Sequence, residues 1–206
     1  MSWDWFNVIG TVAFVISGAV VAMEEEYDLL GVIVLGLTTA FGGGVVRNLL
    51  LGIPMTTIWE QGTLFTIALA TMLIVFVLPY KYIHYWNRWG LFFDAVGLSA
   101  FAIQGAIFAT QMKYPLSATI VAAVMTGIGG GIIRDVLAGR KPLVLKEEIY
   151  AVWAMVAGLA VGMKWIQTPF HLYFLFCAIV VFRMLSVFYR WKLPRRSLKP
   201  ATISTE

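Results

Sequence analysis

Long apolar segments dominate this chain of 206 residues and constrain its fold more than any other feature. Seven of them cover residues 5–23, 29–51, 62–80, 91–110, 114–138, 149–163 and 170–189. A helix that crosses a bilayer needs about 20 mostly apolar residues. The sequence therefore predicts an all-α integral membrane protein with seven transmembrane helices, which together form a single domain over residues 1–193.

The composition excludes most classes of soluble protein. The chain is 60% hydrophobic and 13% charged, whereas an average soluble domain is about 45–50% apolar and about 25% charged. The single cysteine, Cys177, cannot form a disulfide framework, and the two histidines, His84 and His171, lie near segment ends. No catalytic motif is present. We therefore expect neither an enzyme nor a nucleic-acid-binding protein, and we expect no metal site and no cofactor.

Positive charge is concentrated on one side of the predicted helices. Ten Lys and Arg residues fall on the side of the C-terminus, and two fall on the other side. The ten are Lys81, Arg88, Arg140, Lys141, Lys146, Arg190, Lys192, Arg195, Arg196 and Lys199, and the two are Lys113 and Lys164. Because cytoplasmic loops carry an excess of Lys and Arg, the sequence predicts an external N-terminus and a cytoplasmic C-terminus. Residues 194–206 are then a basic cytoplasmic tail that contacts membrane lipids.

The chain also contains an internal repeat with a shift of 87 residues. Residues 7–52 and 94–139 share 18 identities in 46 positions without a gap. Repeat one covers about 5–80, repeat two covers about 91–163, and the seventh helix, at about 170–190, has no partner. Since each repeat holds three segments, the second copy enters the membrane from the opposite side, as in many transporters with inverted repeats.

Both copies carry three consecutive glycines inside the second helix of the repeat. They are Gly42, Gly43 and Gly44 in the first copy, and Gly129, Gly130 and Gly131 in the second. Glycine costs roughly 1 kcal/mol against alanine in a helix interior, so the triplets predict a bend or break. They also allow close approach of two helices. Close packing alone, without a pore, remains the alternative.

An arginine follows each triplet, and these two residues are the main candidates for function. A charge inside a bilayer usually faces the bundle interior or a water-filled cavity. Arg47 and Arg134 therefore either line a path or form structural pairs with Asp94 and Asp135. The two copies differ at three further pairs of positions, which are Asn48 and Asp135, Asn7 and Asp94, and Ser17 and Gln104.

Other polar residues give weaker signals. Thr39 and Thr126, one turn before the glycines, either line a path or bond to the preceding turn of their own helix. Arg183 in the seventh segment faces either the bundle or the lipid headgroups.

The paired motif Gly-Gly-Gly-x-x-Arg-Asn/Asp, at 42–48 and 129–135, resembles the prokaryotic trimeric intracellular cation (TRIC) channels. The stretches 16–19 and 139–142 are similar to that family as well. Bacterial members are known as tandem glycine-transporter domain proteins. The resemblance implies a homotrimer in the cell membrane, with one pore per subunit. The pore lies beside the second and fifth predicted segments, 29–51 and 114–138, which are kinked at their glycines. It also implies conduction of potassium and sodium ions. Asn48 departs from the more usual aspartate.

Two transport functions remain open from the residues alone, and a membrane scaffold without transport is a third alternative, which gives no reason for two arginines at equivalent depths. In a cation channel, the carboxylates would offset the arginines along a water-filled path. In a secondary transporter for a small zwitterion such as glycine, Arg47 or Arg134 would hold the substrate carboxylate. The family resemblance favours the channel.

Overall fold

The computed structural model describes residues 2–78, 89–146, 149–166 and 168–194. The helices in these ranges are α1 (Ser2–Glu24), α2 (Leu29–Leu51), α3 (Thr56–Trp59), α4 (Gly62–Val77), α5 (Trp89–Gln111), α6 (Leu116–Leu137), α7 (Leu143–Lys146), α8 (Tyr150–Gly162) and α9 (Pro169–Phe188). All regular secondary structure in the described residues is helical. The prediction of an all-α protein is confirmed.

Five of the helices are long and apolar enough to cross a membrane. Their spans are Trp5–Glu24, Leu29–Leu51, Gly90–Gln111, Leu116–Leu137 and Pro169–Phe188. The predicted segments 62–80 and 149–163 correspond to the shorter apolar helices Gly62–Val77 and Tyr150–Gly162. The predicted C-terminal tail, from residue 195 onwards, lies outside the described residues.

Four long helices form the centre of the bundle. Helix α1 packs on α2 and α5, and α6 also packs on α2 and α5. Helix α4 lies against α1 and α2, whereas α8 lies against α5 and α6, and α9 covers α5 and α8. Two apolar cores result, one around α1, α2 and α4 and the other around α5, α6, α8 and α9.

Two phenylalanines join these cores at the contact of α1 with α5. The rings of Phe14 and Phe101 lie with their centroids 5.2 Å apart at an angle of 61°. Each ring also rests on a glycine of the opposite helix. A Cβ on Gly10 would lie 2.9 Å from Phe101 Cε1, and a Cβ on Gly97 would overlap the ring of Phe14. These reciprocal contacts mean that α1 and α5 run antiparallel.

The glycine triplets bring α2 and α6 into backbone contact. A Cβ on Gly43 would overlap the carbonyl oxygen of Thr126, and a Cβ on Gly130 would overlap that of Thr39. Side chains at these positions would hold the helices apart, so the predicted close approach is confirmed. The predicted break does not occur, because both helices continue through their glycines. The close packing of the two backbones holds the glycines in helical conformation and offsets their low propensity.

Both helices end shortly after their arginine. Gly52 terminates α2 with φ 65°, and Gly139 follows α6 with φ 69°. Glycine adopts this left-handed conformation without a steric cost. The arginine of each motif thus lies in the last turns of its helix, at opposite ends of the antiparallel pair.

Candidate functional site

Arg134 is the centre of a buried charge cluster near the C-terminal end of α6. Its Nη1 donates to Asp94 Oδ1 at 2.8 Å and to Ser17 Oγ at 2.6 Å. Its Nε and Nη2 both lie 2.8 Å from Asp135 Oδ1. Arg134 is only 2% exposed, and a charge away from water is costly unless it is paired and hydrogen-bonded. The structure thus brings together four of the residues that the sequence indicated.

Two residues that sequence reasoning did not select complete the cluster. The hydroxyl of Tyr150 donates to Asp94 Oδ2, and the backbone N–H of Leu143 donates to Asp135 Oδ2 at 3.0 Å. The guanidinium of Arg183 lies 4.6 Å from the centroid of the Tyr150 ring. Arg183 is buried. It therefore faces the bundle and not the headgroups, so α9 reaches the charge cluster through Tyr150.

A cavity of about 210 Å³ lies beside the Arg134 cluster. Its lining residues are Ser17, Val20, Val21, Glu24, Gly90, Leu91, Asp94, Arg134, Asp135, Arg140, Lys141 and Leu143. Among them, Arg140 donates to Glu24 Oε2 at 2.8 Å and to Glu25 Oε1 at 2.6 Å. Burial lowers the pKa of Arg140, but the hydrogen bonds and charges of these glutamates outweigh it, so the pKa lies above its ordinary value. The cavity carries charges of both signs.

Arg47 occupies the equivalent position in α2, but its partners are neutral. Its Nε and Nη2 donate to Asn48 Oδ1 at 3.1 Å and 2.8 Å. Asn48 Nδ2 in turn donates to Thr57 Oγ1 at 3.1 Å, and this hydroxyl donates to the carbonyl oxygen of Pro54 at 2.8 Å. The guanidinium of Arg47 lies 4.0 Å from the centroid of the Phe108 ring. No carboxylate in the described part of the chain pairs with Arg47.

A smaller cavity of about 30 Å³ adjoins Arg47. The residues that line it are Asn7, Thr11, Ala40, Phe41, Gly44, Arg47, Ile58, Gln61, Phe101, Gln104 and Thr126. Gln104 Nε2 donates to Asn7 Oδ1 across the contact of α5 with α1. Gln104 therefore belongs to the Arg47 end, whereas Ser17, its counterpart in the repeat, belongs to the Arg134 end.

The two cavities both border α1, at different levels along its axis. Thr11 lines the smaller cavity and Ser17 lines the larger one, and six helical residues separate them by about 9 Å along the axis. Phe14 lies between these two positions, packed against Phe101. Phe101 itself lines the smaller cavity, and Phe14 lies between the two cavities along the axis of α1.

The remaining predicted residues have distinct places. Thr39 Oγ1 donates to the carbonyl of Leu35, and Thr126 Oγ1 donates to that of Ala122, both at 2.6 Å. Both thus bond to their own helix, and Thr126 also lines the smaller cavity. The third glycine of each triplet borders a charge cluster. A Cβ on Gly44 would lie 3.9 Å from Arg47 Nη2.

Gly131 is in the equivalent place at the other end. A Cβ there would lie 3.4 Å from the hydroxyl oxygen of Tyr150. The third glycine of each triplet, Gly44 or Gly131, therefore leaves room beside a guanidinium. The central glycines, Gly43 and Gly130, permit backbone contact.

Sequence reasoning missed Tyr150 and Phe108 because both look like ordinary apolar or interfacial residues. One signal for Tyr150 existed, since the buried Arg183 of the unpaired helix requires polar or aromatic neighbours. Arg140 was counted only as a topology signal. Its counterpart in the repeat is Ile53, so the symmetry of the repeat carried no hint of its ion pairs.

Within the described ranges, no group of three or more His, Cys, Asp or Glu residues could hold a metal ion. The site is therefore built from two arginine clusters, one balanced by carboxylates and one by neutral groups, inside a bundle of apolar helices. These features place the chain in the class of multi-pass membrane proteins, with polar cavities at both ends of the helical bundle.

Known proteins are similar to this chain in sequence. A family model described as Glycine transporter matches residues 4–80 and again residues 91–165. The UPF0126 membrane protein YvgT of Bacillus subtilis (strain 168) is 60% identical over 199 residues, which cover 97% of this chain and 98% of the relative.

Solved structures are similar over almost the whole chain. A structure concerned with conductance through TRIC cation channels has a TM-score of 0.84 at 36% identity, and covers 96% of this chain and 98% of its own. A TRIC trimeric intracellular cation channel orthologue from Rhodobacter sphaeroides has a TM-score of 0.77 at 31% identity, with 91% and 97% covered. The chain belongs to the family of prokaryotic TRIC channels, as its paired motif predicted.

Proposed function

We propose that this protein is a channel for monovalent cations, potassium and sodium, with one pore in each subunit of a homotrimer. The observation that carries the proposal is the similarity to TRIC cation channel structures, with TM-scores of 0.84 and 0.77 over more than nine tenths of the chain. Residues 1–193 form one transmembrane domain in this proposal. It lies in the cell membrane of a prokaryote, in contact with lipids, with the basic tail 194–206 in the cytoplasm.

The proposed architecture has seven transmembrane helices, arranged as two inverted three-helix repeats and a seventh helix. The reciprocal contacts of Phe14 with Gly97 and of Phe101 with Gly10 support this arrangement. So do the two separate matches of one family model, at 4–80 and 91–165. The short helices α4 and α8 are the third member of each repeat, and bends in α2 and α6 at the glycines adjust the width of the path.

The proposed pore joins the two cavities and is lined by α2 and α6, the second and fifth predicted segments, with α1 and α5 completing its wall. In this proposal Phe14 closes the path in the conformation described above, since it lies between Thr11 and Ser17 along α1 and packs on Phe101, which lines the smaller cavity. At the larger cavity, Asp94 and Asp135 face a single Arg134. Two carboxylates around one guanidinium make this end tolerant of cations. Arg134 and its partners thus line the pore as well as stabilise it.

A secondary transporter for a small zwitterion such as glycine is the alternative function. The family model described as Glycine transporter favours it. The larger cavity also supports it, since Arg134, Arg140 and Lys141 line it together with Asp94 and Glu24. An amino group and a carboxylate would both find a charged partner there.

Reconstitution in a planar bilayer under a potassium chloride gradient distinguishes the two functions. We expect discrete unitary currents that reverse toward the potassium potential. A silent bilayer with verified insertion, together with uptake of labelled glycine into liposomes, would replace the channel with the transporter.

Variants of the aromatic pair test the proposed path. Phe14→Ala should raise the open probability or conductance because it removes the ring between the cavities. Phe6→Ala is the matched control, since Phe6 is an equally buried phenylalanine of α1 that packs instead on Tyr173 and Phe176. Equal currents in both variants would place the path elsewhere.

A further inference from the structure

The Arg47 end of the bundle contains a buried positive charge whose partners in the described residues are all neutral. Arg47 is 4% exposed. Its hydrogen bonds go to the side-chain amide of Asn48, and the ring of Phe108 covers one face of its guanidinium. Arginine stays protonated in proteins, and a buried charge requires a counter-charge or close contact with water. From this imbalance we propose that Arg47 binds a small monovalent anion, such as chloride, in the smaller cavity.

The geometry of Arg47 leaves donors directed toward such an anion. A guanidinium carries five N–H groups. Two of them go to Asn48 Oδ1, and no other acceptor in the described part of the chain takes the rest. The N–H bonds lie in the plane of the guanidinium, and Phe108 covers one of its faces, so an anion approaches in that plane, which is the favoured direction for binding anions.

The cavity beside Arg47 has the size and chemistry for a small anion. Its volume is about 30 Å³, and a volume of roughly 10–15 Å³ on this scale already holds one water molecule. The side-chain amides of Asn7, Gln61 and Gln104 line it, and each amide can offer N–H donors. None of the described lining residues is acidic. A chloride ion fits, whereas a large organic anion such as gluconate does not.

The other half of the molecule shows what the anion replaces. There, Asp135 follows Arg134 directly and lies 2.8 Å from its guanidinium. The equivalent residue beside Arg47 is Asn48, which offers the same kind of oxygen without the charge. The bound anion therefore supplies the negative charge that Asp135 provides at the opposite end. The inference concerns binding and holds whether the protein conducts or transports.

Anomalous diffraction from crystals of the full chain grown in bromide tests the proposal directly. We expect a bromide peak in the plane of the Arg47 guanidinium and no peak at Arg134. In Asn48→Asp, the introduced carboxylate supplies the counter-charge, so the peak should be lost. A peak at Arg47 that persists undiminished in Asn48→Asp would mark an adventitious ion and overturn the proposal, as would the absence of a peak in the parent protein.

Thermal unfolding in detergent gives a second test that needs no crystals. At equal ionic strength, the Tm of the parent protein should be higher in chloride or bromide than in gluconate. Formate, a carboxylate of similar size, should act like chloride. In Asn48→Asp and in Arg47→Gln, the Tm should be the same in chloride and in gluconate. If one of these variants fails to fold, the other still tests the proposal. An equal Tm in chloride and gluconate for the parent protein would contradict the proposal.

Discussion

The Arg134 end and the Arg47 end of this bundle share a backbone motif but differ in electrostatics. In each, an arginine three residues after the last glycine bonds to the side chain of the next residue. At Arg134, that residue and Asp94 are carboxylates, whereas the partners of Arg47 among the described residues are Asn48 and the ring of Phe108. The two motifs thus share the position of the charge, and the residues at a few neighbouring positions decide its balance.

The cavities differ in the same sense. The one at Arg134 has a volume of about 210 Å³ and carries both signs of charge, and the one at Arg47 has about 30 Å³ and is lined by amides and apolar groups. Two similar backbone motifs can therefore border two unlike cavities, because the similarity resides in backbone contacts and the chemistry resides in a few side chains.

The largest expected effect on folding comes from the central glycines, where the backbones of α2 and α6 touch. Gly43→Leu and Gly130→Leu should each prevent folding, because a Cβ at either position overlaps a backbone carbonyl that cannot move aside. Size-exclusion chromatography of detergent extracts measures the monodisperse fraction. Gly44→Ala is the control, since its Cβ would meet only Arg47 Nη2 at 3.9 Å. A stable, monodisperse Gly43→Leu protein would disprove the backbone contact.

Removal of each arginine should show most clearly how the two ends differ in their contribution to the free energy of unfolding. Arg134→Gln leaves Asp94 and Asp135 buried without their cation, so we expect a loss of about 3–5 kcal/mol in the free energy of unfolding. Arg47→Gln removes a charge that no carboxylate of the described residues balances, so it leaves no buried ion unpaired and should cost less, about 1.5–3 kcal/mol for the lost hydrogen bonds to Asn48. Denaturation in mixed micelles gives both values. Equal losses would mean that Asn48 compensates Arg47 as well as the carboxylates compensate Arg134.

The contribution of Tyr150 should be intermediate. Tyr150→Phe removes a hydroxyl that donates to the buried carboxylate of Asp94, and hydrogen bonds to charged groups contribute about 1.5–3 kcal/mol. The matched control is Tyr114→Phe, whose hydroxyl donates to the neutral carbonyl of Leu51 at 2.7 Å and should contribute about 0.5–1.5 kcal/mol. Thermal unfolding of both variants ranks them, and the reverse order would show that Asp94 does not depend on Tyr150.

The smallest effect concerns Arg140, whose two ion pairs with Glu24 and Glu25 are half-exposed. Arg140→Gln should cost about 1 kcal/mol or less, and high salt should reduce that cost. Lys141→Gln, at the neighbouring exposed residue, is the control. The Tm of each variant in low and high salt measures the effect, and a cost that is independent of salt would contradict an ion-pair origin.

The pH dependence of this contribution follows from the sign of the pKa shift. Burial lowers the pKa of Arg140, but the two glutamates raise it above its ordinary value. A group with a raised pKa stabilises the fold below its unfolded pKa and loses that contribution as the pH rises through the folded pKa. The Tm difference between Arg140→Gln and the parent protein should therefore stay constant through the neutral range.

Much of this molecule was predictable because its signals are local or periodic. The apolar segments indicated helices to within a few residues, since the bilayer sets their length. The shift of 87 residues aligned both motifs, and thereby selected Arg134, Asp94 and Asp135. The break expected at the glycines was predicted from propensity alone, and propensity yields where a second helix packs against the same glycines.

The sequence by itself determined that the chain enters a membrane as apolar helices, and that two equivalent arginines lie within them. These properties depend on residue type and spacing, which are visible without coordinates. The tertiary structure alone decided that Ser17 accepts a hydrogen bond from Arg134 and that Gln104 donates one to Asn7. It also decided that Tyr150 links Arg183 to the charge cluster. Such contacts join residues from 33 to 117 positions apart, and only the packing of antiparallel helices brings them together.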